Sequence, residues 1–432
     1  MGVAAEINMN NIAEECIKQI KDKIINLKHL NIIVVGKTGV GKSTLINSVF
    51  RDNLAETGMG KPVTEHMKKI SKENMPLTIY DTKGFELGKN AQKEVKDEIL
   101  KTIKEGNASK DVNKAIHCIW YCVNTASNRI EPEEIAWLRE FANENNVSQV
   151  PIIMVLTQGF SKKNAMRMVE EIEKENLDII QVVPVLAQDY EIDDGIPPIK
   201  AYGLDTLIEV MTATLPDELK NTLQNVQIAS LKEKKRRAQA VVASATAAAF
   251  GEGFAPIPFA DCAVLIPTQV AMIATITSIF GISVNKSLIY AFMSSALGVS
   301  GATIAGKTIA SNLLKLVPGA GTALGGTISG ATAGVITSAL GSAYIALMEG
   351  VYKGEISTKD LETKEGKDKI RMLFKKGISV AENMKKVTSP SQVNEDGSVN
   401  ITAIEKQAEA MVEAQVEADT KETGLDAPVS NE

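Results

Sequence analysis

Aromatic residues and cysteines are both scarce in this sequence. Phenylalanine, tryptophan and tyrosine together make up 4% of the 432 residues, and there are four cysteines. Cys118 and Cys122 lie in the apolar segment "AIHCIWYCV", and no second pair of ligands follows at the spacing of a zinc site. The composition therefore argues against a disulfide scaffold and a zinc module. We expect small core cysteines in a reduced, cytosolic protein.

An excess of positive charge is also missing. The formal net charge is −6, from 47 basic and 53 acidic residues, so the overall field gives no sign of a DNA-binding protein. Charge of either sign almost vanishes over residues 239–348, which are rich in Ala, Gly, Ser, Thr, Ile and Val. This shift in composition separates an apolar segment from the rest of the chain.

The part before that segment contains a regular alternation of strands and helices. Strands are predicted at 31–35, 77–80, 115–123, 152–156 and 179–185, with an antiparallel edge strand at 67–71. Alternation with helices predicts an α/β fold whose mostly parallel sheet is covered on both faces. The predicted divisions are an N-terminal helix at 1–29, the α/β domain at 30–216, a helical Ala/Gly-rich domain at 217–350, a charged helix at 351–388 and an acidic, partly disordered tail at 389–432.

A complete phosphate-loop motif follows the first predicted strand of the sheet. The segment "GKTGVGKS", residues 36–43, matches G-x-x-x-x-G-K-[ST] between an apolar strand and a helix. In this motif the backbone N–H groups wrap around phosphates, Lys42 reaches the β and γ phosphates, and Ser43 binds Mg²⁺. The helix N-terminus adds partial positive charge. The predicted nucleotide contacts here are Gly36, Lys37, Thr38, Gly39, Val40, Gly41, Lys42, Ser43 and Thr44.

Two further segments supply the expected Mg²⁺ and γ-phosphate contacts. In "LTIYDTKGF" the strand delivers Asp81 to the sheet edge as a Mg²⁺ ligand, and the Gly84 N–H can face the γ-phosphate. In "GMGKPVTEHMKKI" the Thr64 hydroxyl can join the Mg²⁺ shell when a triphosphate is bound. A solvent-exposed Thr64 without this role is the alternative. We expect Lys42, Thr64 and Gly84 to support catalysis.

These motifs, across residues 30–216, resemble the translation-factor-related, Era-like small GTPases. The resemblance implies a Ras-like P-loop GTPase domain that binds GTP or GDP with Mg²⁺, here followed by an all-α apolar domain. Phe85 stands where Ras-like proteins carry the glutamine that orients the attacking water, and an apolar side chain cannot do so. The resemblance therefore implies slow intrinsic hydrolysis, assisted by another loop, an activating partner or a second copy in a homodimer.

The loop that reads the base departs from the usual Asn/Thr-Lys-x-Asp pattern, whose aspartate pairs with guanine N1 and N2. The aligned residues are Thr157, Gln158, Gly159 and Phe160, so this carboxylate is missing. Thr157 can still brace the phosphate loop, and Gln158 can cover the base. In "PVLAQD", residues 184–189, Leu186 and Ala187 resemble the segment whose backbone N–H contacts guanine O6. Guanine preference rests on that loop and on the resemblance.

The apolar segment, residues 239–348, resembles a domain of unknown function that follows the GTPase in a set of Era-like bacterial proteins. The resemblance implies contact with membranes. Residues 262–285 and 316–348 are long enough to span a bilayer, but Thr, Ser and Gly dilute their hydrophobicity. The cluster at 232–237 could anchor on anionic lipid or be a solvated helix face. A membrane-associated domain and a soluble helical bundle both stay open.

Together these features predict a GTP-hydrolysing switch that couples its nucleotide state to the apolar domain, and through it to a membrane lipid or protein partner. We expect it in the cytoplasm, at the inner face of the membrane. One alternative is a nucleotide-gated scaffold with negligible hydrolysis, which Phe85 keeps open. Another is a soluble ribosome-associated GTPase, although the sequence has no basic, aromatic-bearing module for RNA.

Overall fold

The computed structural model describes residues 6–51, 54–57, 59–62, 66–82, 88–127, 129–145, 148–193, 196–252, 257–258, 265–296, 303–305, 327–328 and 330–387. Thr64, Gly84 and Phe85 lie outside these residues, as does the predicted acidic tail at 389–432. The chain divides into two compact units, an α/β unit at Leu27–Glu233 and a helical unit formed by Met1–Asn26 and Lys234–Glu432.

The strands and helices are numbered in chain order. The strands are β1 (Glu6–Asn8), β2 (Leu30–Val35), β3 (Met59–Pro62), β4 (Met67–Ser71), β5 (Leu77–Thr82), β6 (Cys118–Asn124), β7 (Ile152–Thr157), β8 (Gln181–Pro184), β9 (Ile257–Pro258), β10 (Thr303–Ala305) and β11 (Thr327–Ile328). The helices are α1 (Met9–Ile25), α2 (Lys42–Val49), α3 (Leu54–Thr57), α4 (Gly88–Ala108), α5 (Pro132–Asn145), α6 (Lys162–Glu173), α7 (Leu204–Thr214), α8 (Asp217–Val226), α9 (Leu231–Glu252), α10 (Ile266–Phe280), α11 (Lys286–Ala296), α12 (Gly330–Tyr352) and α13 (Lys364–Val387).

The α/β unit is built on one seven-stranded sheet in the order β3-β4-β5-β2-β6-β7-β8. Strands β5, β2, β6, β7 and β8 are parallel, and β4 pairs antiparallel with β5. The predicted α/β fold is confirmed. Met67–Ser71 is antiparallel as predicted but is not the edge strand, because β3 pairs along its other side. The edge strand β3 was not predicted, because Gly60 and Pro62 interrupt any strand pattern in its four residues.

The central strand β2 explains why the sheet needs cover on both faces. All six of its residues are buried. Ile32 and Val34 point into a core that α2, α7 and α8 complete, whereas Ile33 and Val35 point into the core under α4, α5 and α6. Alternate residues of a strand point to opposite faces. The continuous apolar run in the sequence is therefore the mark of a strand buried on both sides.

The sequence pattern predicts one long helical run over residues 217–248, at the start of the Ala/Gly-rich domain. In the structure this run is interrupted, because α8 ends at Val226 and α9 begins at Leu231. The extended Gln227 between them forms an antiparallel bridge with Phe50, at the end of α2. Its buried amide donates to the Ser230 carbonyl and accepts from the Ser230 N–H, both at 2.8 Å. This local pairing satisfies the backbone groups that the break in the helix exposes.

The N-terminal helix α1 belongs to the helical unit. It packs against α10 and α11, and β1 pairs antiparallel with β10. The predicted apolar face is buried there through Ile12, Cys16 and Ile20. Amphipathic spacing identifies which face is buried but not the partner, so the sequence could not show that residues 1–26 pack with helices more than 200 positions away.

The three described cysteines are buried, and burial raises the pKa of Cys16, Cys118 and Cys122 to about 12.

One cation of the 232–237 cluster is a core residue. Lys234 is fully buried, and its ammonium donates to the Ile279 and Phe280 carbonyls at 3.0 and 3.2 Å, at the C-terminus of α10. A cation is favourable at that end of a helix, and it satisfies carbonyls that have no partner within the helix. The neighbouring Lys235 pairs with Glu349 of α12 at 3.1 Å. Lys234 is thus neither a lipid contact nor part of a solvated face.

Among the described helices, α12 is long and apolar enough to cross a membrane, over Ala333–Tyr352, by length and composition alone. Of its apolar window, 78% is buried within the protein, and a core helix of a soluble protein meets the same criteria. The other predicted span contains α10, which has 15 residues and is shorter than the roughly 20 that a bilayer requires. Membrane attachment stays a prediction.

We expect a fragment of residues 27–233 to unfold cooperatively and a fragment of residues 27–216 to lose cooperative unfolding. The difference is α8, whose Leu219, Leu223 and Val226 are fully buried in the sheet's core. Their burial contributes roughly 5–8 kcal/mol together, comparable with the whole stability of a domain at about 5–15 kcal/mol. Thermal circular dichroism melts of both fragments test this. Equal cooperativity would place the domain's end at the predicted residue 216.

Candidate nucleotide site

The phosphate loop joins the end of β2 to the first residue of α2. Gly36, Gly39 and Gly41 have φ values of +152°, +75° and +93°, a region in which residues with a side chain are strained. A Cβ at Gly36 would also lie 2.5 Å from the Cys122 carbonyl oxygen. The glycines are thus required by backbone conformation and by the close approach of β6. Thr38, Gly39, Ser43 and Thr44 are exposed at the loop and at the start of α2.

The Lys42 ammonium closes the loop on itself. It donates to the Gly36 carbonyl at 2.8 Å and to the Lys37 carbonyl at 3.1 Å. These bonds hold a buried cation at the concave side of the loop, at the N-terminus of α2. A compact ammonium with three donors can hold these carbonyls and also reach a phosphate oxygen.

Two side chains at the end of β7 donate hydrogen bonds to the carbonyls in the second half of the phosphate loop. The Thr157 hydroxyl donates to the Val40 carbonyl, with the Val123 carbonyl at 3.1 Å as a second acceptor. The Gln158 amide donates to the Gly39 carbonyl at 2.9 Å and accepts from Asn124 Nδ2 at 2.8 Å. Gln158 therefore braces the phosphate loop through Nε2 and is held by Asn124 through Oε1. That its aliphatic stem covers the base stays a prediction.

Asp81, at the end of β5, carries an unsatisfied carboxylate oxygen. Its Oδ1 is buried and has no hydrogen-bond partner among the residues described. Burial raises the pKa of Asp81, while the nearby Lys42 and Lys68 act to lower it. A buried oxygen without a partner is costly, and an oxygen donor beside a phosphate loop suits Mg²⁺. Ser43 and Asp81 therefore fit a Mg²⁺ site, to which Thr64 is a predicted but undescribed third contributor.

A second lysine of the loop makes an ion pair that the sequence did not reveal. Lys37 Nζ lies 2.9 Å from Glu134 Oε2, and Glu134 Oε1 accepts from the Tyr121 hydroxyl at 3.2 Å. The Glu134 side chain is 7% exposed, so the pair is well shielded on one side. It ties the loop to the first turn of α5. No signal marks Glu134 in the sequence, because its position is fixed only when α5 packs on the sheet.

The two loops expected around the base are bonded to each other. The Gly159 N–H donates to the Val185 carbonyl at 3.0 Å, and the Tyr202 hydroxyl donates to the Gly159 carbonyl at 2.8 Å. Leu186 is buried and bridges Tyr202, and Ala187 packs against the core beside it. The structure therefore brings residues 157–160 together with Leu186 and Ala187. The Phe160 ring lies 4.4 Å from the ring of Tyr190, centroid to centroid.

Family models match both halves of the molecule. The septin family model matches residues 26–196, and a model described as a domain of unknown function (DUF697) matches residues 217–375. Septin-9 of Rattus norvegicus is 28% identical over 147 residues, which are 28% of this chain and 26% of that protein. Septin-2 of Bos taurus is 26% identical over 178 residues, which are 34% of this chain and 47% of that protein. The matched region spans about a quarter of the length of septin-9.

Solved structures with a related fold include Cdc11 from Saccharomyces cerevisiae, at 19% identity and a TM-score of 0.26, over 43% of this chain and 75% of that one. Another is Toc33 from Arabidopsis thaliana, at 14% identity and a TM-score of 0.27, over 51% and 94%. These scores are too low to carry a functional argument. The family models support a septin-type P-loop GTPase domain, and the Era-like grouping stays a prediction.

Replacing Thr157 by Val should lower the free energy of unfolding by about 1–3 kcal/mol, because the buried Val40 carbonyl loses its donor. The affinity for nucleotide should fall as well, since the phosphate loop loses a brace. Urea unfolding and nucleotide titration measure the two effects. The control is Thr214→Val, whose hydroxyl contacts the Val210 and Met211 carbonyls one turn back in its own helix. Equal effects of both substitutions on affinity would contradict the bracing role.

Proposed function

We propose that this chain, which carries a septin-type P-loop GTPase domain ahead of a domain of unknown function, is a switch that binds and hydrolyses GTP with Mg²⁺. The observation that carries the proposal is the preformed phosphate loop. The buried Lys42 ammonium donates to two carbonyls of that loop. Its charge acts to lower the pKa of Asp81, whose Oδ1 has no hydrogen-bond partner among the described residues. A structural glycine turn would need neither the buried cation nor the orphaned acceptor.

The chain's own residues act on the triphosphate by position and charge. In this proposal the backbone N–H groups of residues 38–44 donate to phosphate oxygens at the N-terminus of α2, where the helix dipole is positive. Lys42 stabilises the negative charge that develops on the β and γ phosphates. Ser43 and Asp81 would hold Mg²⁺, which neutralises phosphate charge when bound. The Gly84 N–H is proposed to contact the γ-phosphate, and the Thr64 hydroxyl to complete the Mg²⁺ shell when a triphosphate is bound.

Turnover is proposed to be slow and assisted. Phe85, next to Gly84, offers no polar atom to orient water. We therefore assign the missing assistance to a second copy of the chain, in a homodimer, or to an activating partner. Grouping with the Era-like GTPases is part of this proposal, because that group often carries the same substitution.

The proposed site of action is the inner face of a membrane, from the cytoplasmic side. Support comes from the resemblance of the apolar domain and from the composition of α12. In this proposal the nucleotide state alters how the helical unit contacts lipid or a protein partner. The nucleotide-gated scaffold is the second candidate, and Phe85 is the observation that favours it.

Lys42→Ala should weaken GTP binding roughly 10–100-fold, the loss expected for charge-assisted hydrogen bonds of about 1.5–3 kcal/mol. Asp81→Asn should retain binding but lose most of its dependence on Mg²⁺, because an amide is a poor ligand for that ion. Calorimetric titrations of the full chain, with Mg²⁺ and with a chelator, measure both. Lys163→Ala, an exposed lysine on α6, is the control. Parent-like binding by Lys42→Ala would refute the phosphate-site assignment.

Phosphate release from the full chain separates the switch from the scaffold. We expect slow release that increases when vesicles of anionic and zwitterionic lipid are added, because the helical unit is proposed to respond to lipid. Asp81→Asn in the same assay gives the background. Tight GTP binding with no release, with or without vesicles, would favour the scaffold. A rate of phosphate release that is the same with and without vesicles would contradict the proposed response to the membrane.

A further inference from the structure

Several polar groups on the base side of the nucleotide site are already hydrogen-bonded to other groups of the protein. The usual reader of guanine is a carboxylate that accepts from N1–H and from the 2-amino group. The structure shows what the residues around that place do instead. This inference rests on the proposed function, since it concerns the base of the same nucleotide.

Gln158 is occupied by the protein. It adopts a left-handed conformation, φ +55°. Its Nε2 donates to the Gly39 carbonyl and its Oε1 accepts from Asn124. Thr125 fixes the backbone of the same residue, because its hydroxyl donates to the Gln158 carbonyl at 2.7 Å. Gln158 is thus a brace for the phosphate loop.

Phe160 takes the place of the aspartate and makes an aromatic pair. Its ring and that of Tyr190 are 4.4 Å apart at the centroids and inclined by 51°. The two residues are 37% and 45% exposed, so the pair forms an apolar surface that joins the two base-side loops. Such a surface can pack against any purine ring. The Phe160 ring has no acceptor where the carboxylate would stand, and the Tyr190 hydroxyl lacks the paired oxygens that accept from guanine N1–H and the 2-amino group together.

The acidic residue next to this pair is held elsewhere. Asp189 Oδ2 lies 2.8 Å from Lys200 Nζ, and Oδ1 accepts from the Ala201 N–H at 2.8 Å. The bond from Lys200 and the bond from the Ala201 N–H hold the pKa of Asp189 below its usual value. Both oxygens therefore have donors within the chain. Asp189 fastens the loop between β8 and α7.

A backbone donor for the opposite edge of the base is held in a fixed place. The Val185 N–H bonds to the Leu156 carbonyl at 2.7 Å, and the Leu186 N–H bonds to the Tyr202 carbonyl at 3.0 Å. The next residue, Ala187, makes no hydrogen bond through its N–H to any residue that the structure describes. This N–H can donate to a purine O6, but it cannot pair with the N6 amine of adenine, which is itself a donor.

We infer that this site reads the O6 edge of a purine nucleotide and ignores the 2-amino group, so that GTP and ITP bind alike and ATP binds more weakly. Guanine and hypoxanthine share O6 and N1–H and differ only in that amino group. A site built to pair with a polar group rejects an analogue lacking it by a factor of about 10⁴–10⁵, whereas a site without that pairing does not. The Phe160–Tyr190 surface does not pair with the 2-amino group, so we do not expect it to reject ITP.

The test is displacement of a fluorescent, ribose-labelled GDP analogue from the full chain by GTP, ITP and ATP in the presence of Mg²⁺. We expect the GTP and ITP dissociation constants to agree within about threefold, and that of ATP to be at least about tenfold higher, the equivalent of one lost hydrogen bond. An ITP affinity more than about tenfold below that of GTP overturns the inference. Failure of all three nucleotides to bind overturns the proposed function instead.

Variants at position 160 make the test sharper. Phe160→Asp should create a preference for GTP over ITP of at least about tenfold, because a carboxylate then faces the base side. Phe160→Leu keeps the surface apolar and should leave the ratio near one. Asp189→Asn should also leave it near one. A GTP preference in the parent that disappears in Asp189→Asn would show that Asp189 reads the base, and would overturn the inference.

Discussion

The nucleotide site depends on how the phosphate loop's carbonyl groups are satisfied. A loop that directs its N–H groups toward an anion must direct its carbonyls into the protein, where each needs a donor. Here three side chains supply donors for four carbonyls: Lys42 for residues 36 and 37, Gln158 for Gly39, and Thr157 for Val40. Two of the three side chains come from the end of β7, so the order of β2, β6 and β7 in the sheet is a condition for the loop's shape.

This arrangement separates two tasks that the same short loop serves. Residues 157 and 158 brace the phosphate loop, and residue 160 is assigned to the base side by the proposed function. Glutamine can replace the usual lysine because its amide still reaches the Gly39 carbonyl. Position 160 takes part in none of the described bonds to the phosphate loop, and its aromatic contact is with Tyr190. On the proposed function, a change there would affect the base without disturbing the phosphates, so that an intact phosphate motif can coexist with an altered base loop.

Local patterns in the sequence predicted the elements whose cause is local. The strand at residues 152–156 is an apolar run, and α5 was predicted with the bounds it has, since Pro132 and two glutamates mark its start. Partners set by packing could not be predicted. Glu134 meets Lys37 only across the sheet's edge, and α1 shows an apolar face without indicating that α10 and α11 cover it. The break at Gln227 depends on a bridge to Phe50, 177 positions earlier.

The same distinction applies to the apolar segment, for which hydropathy alone left both a membrane-associated domain and a soluble bundle open. The packing now accounts for much of that hydrophobicity within the unit. The apolar window of α12 is largely buried, and the Tyr344 hydroxyl shares a 2.7 Å hydrogen bond with Thr277 of α10. Lys234, from the cluster for which a lipid anchor and a solvated face were both open, instead caps α10. Membrane attachment, which remains a proposal, would therefore have to use residues other than these contacts or separate α10 from α12, and that separation would leave Thr277, Tyr344 and Lys234 without their partners.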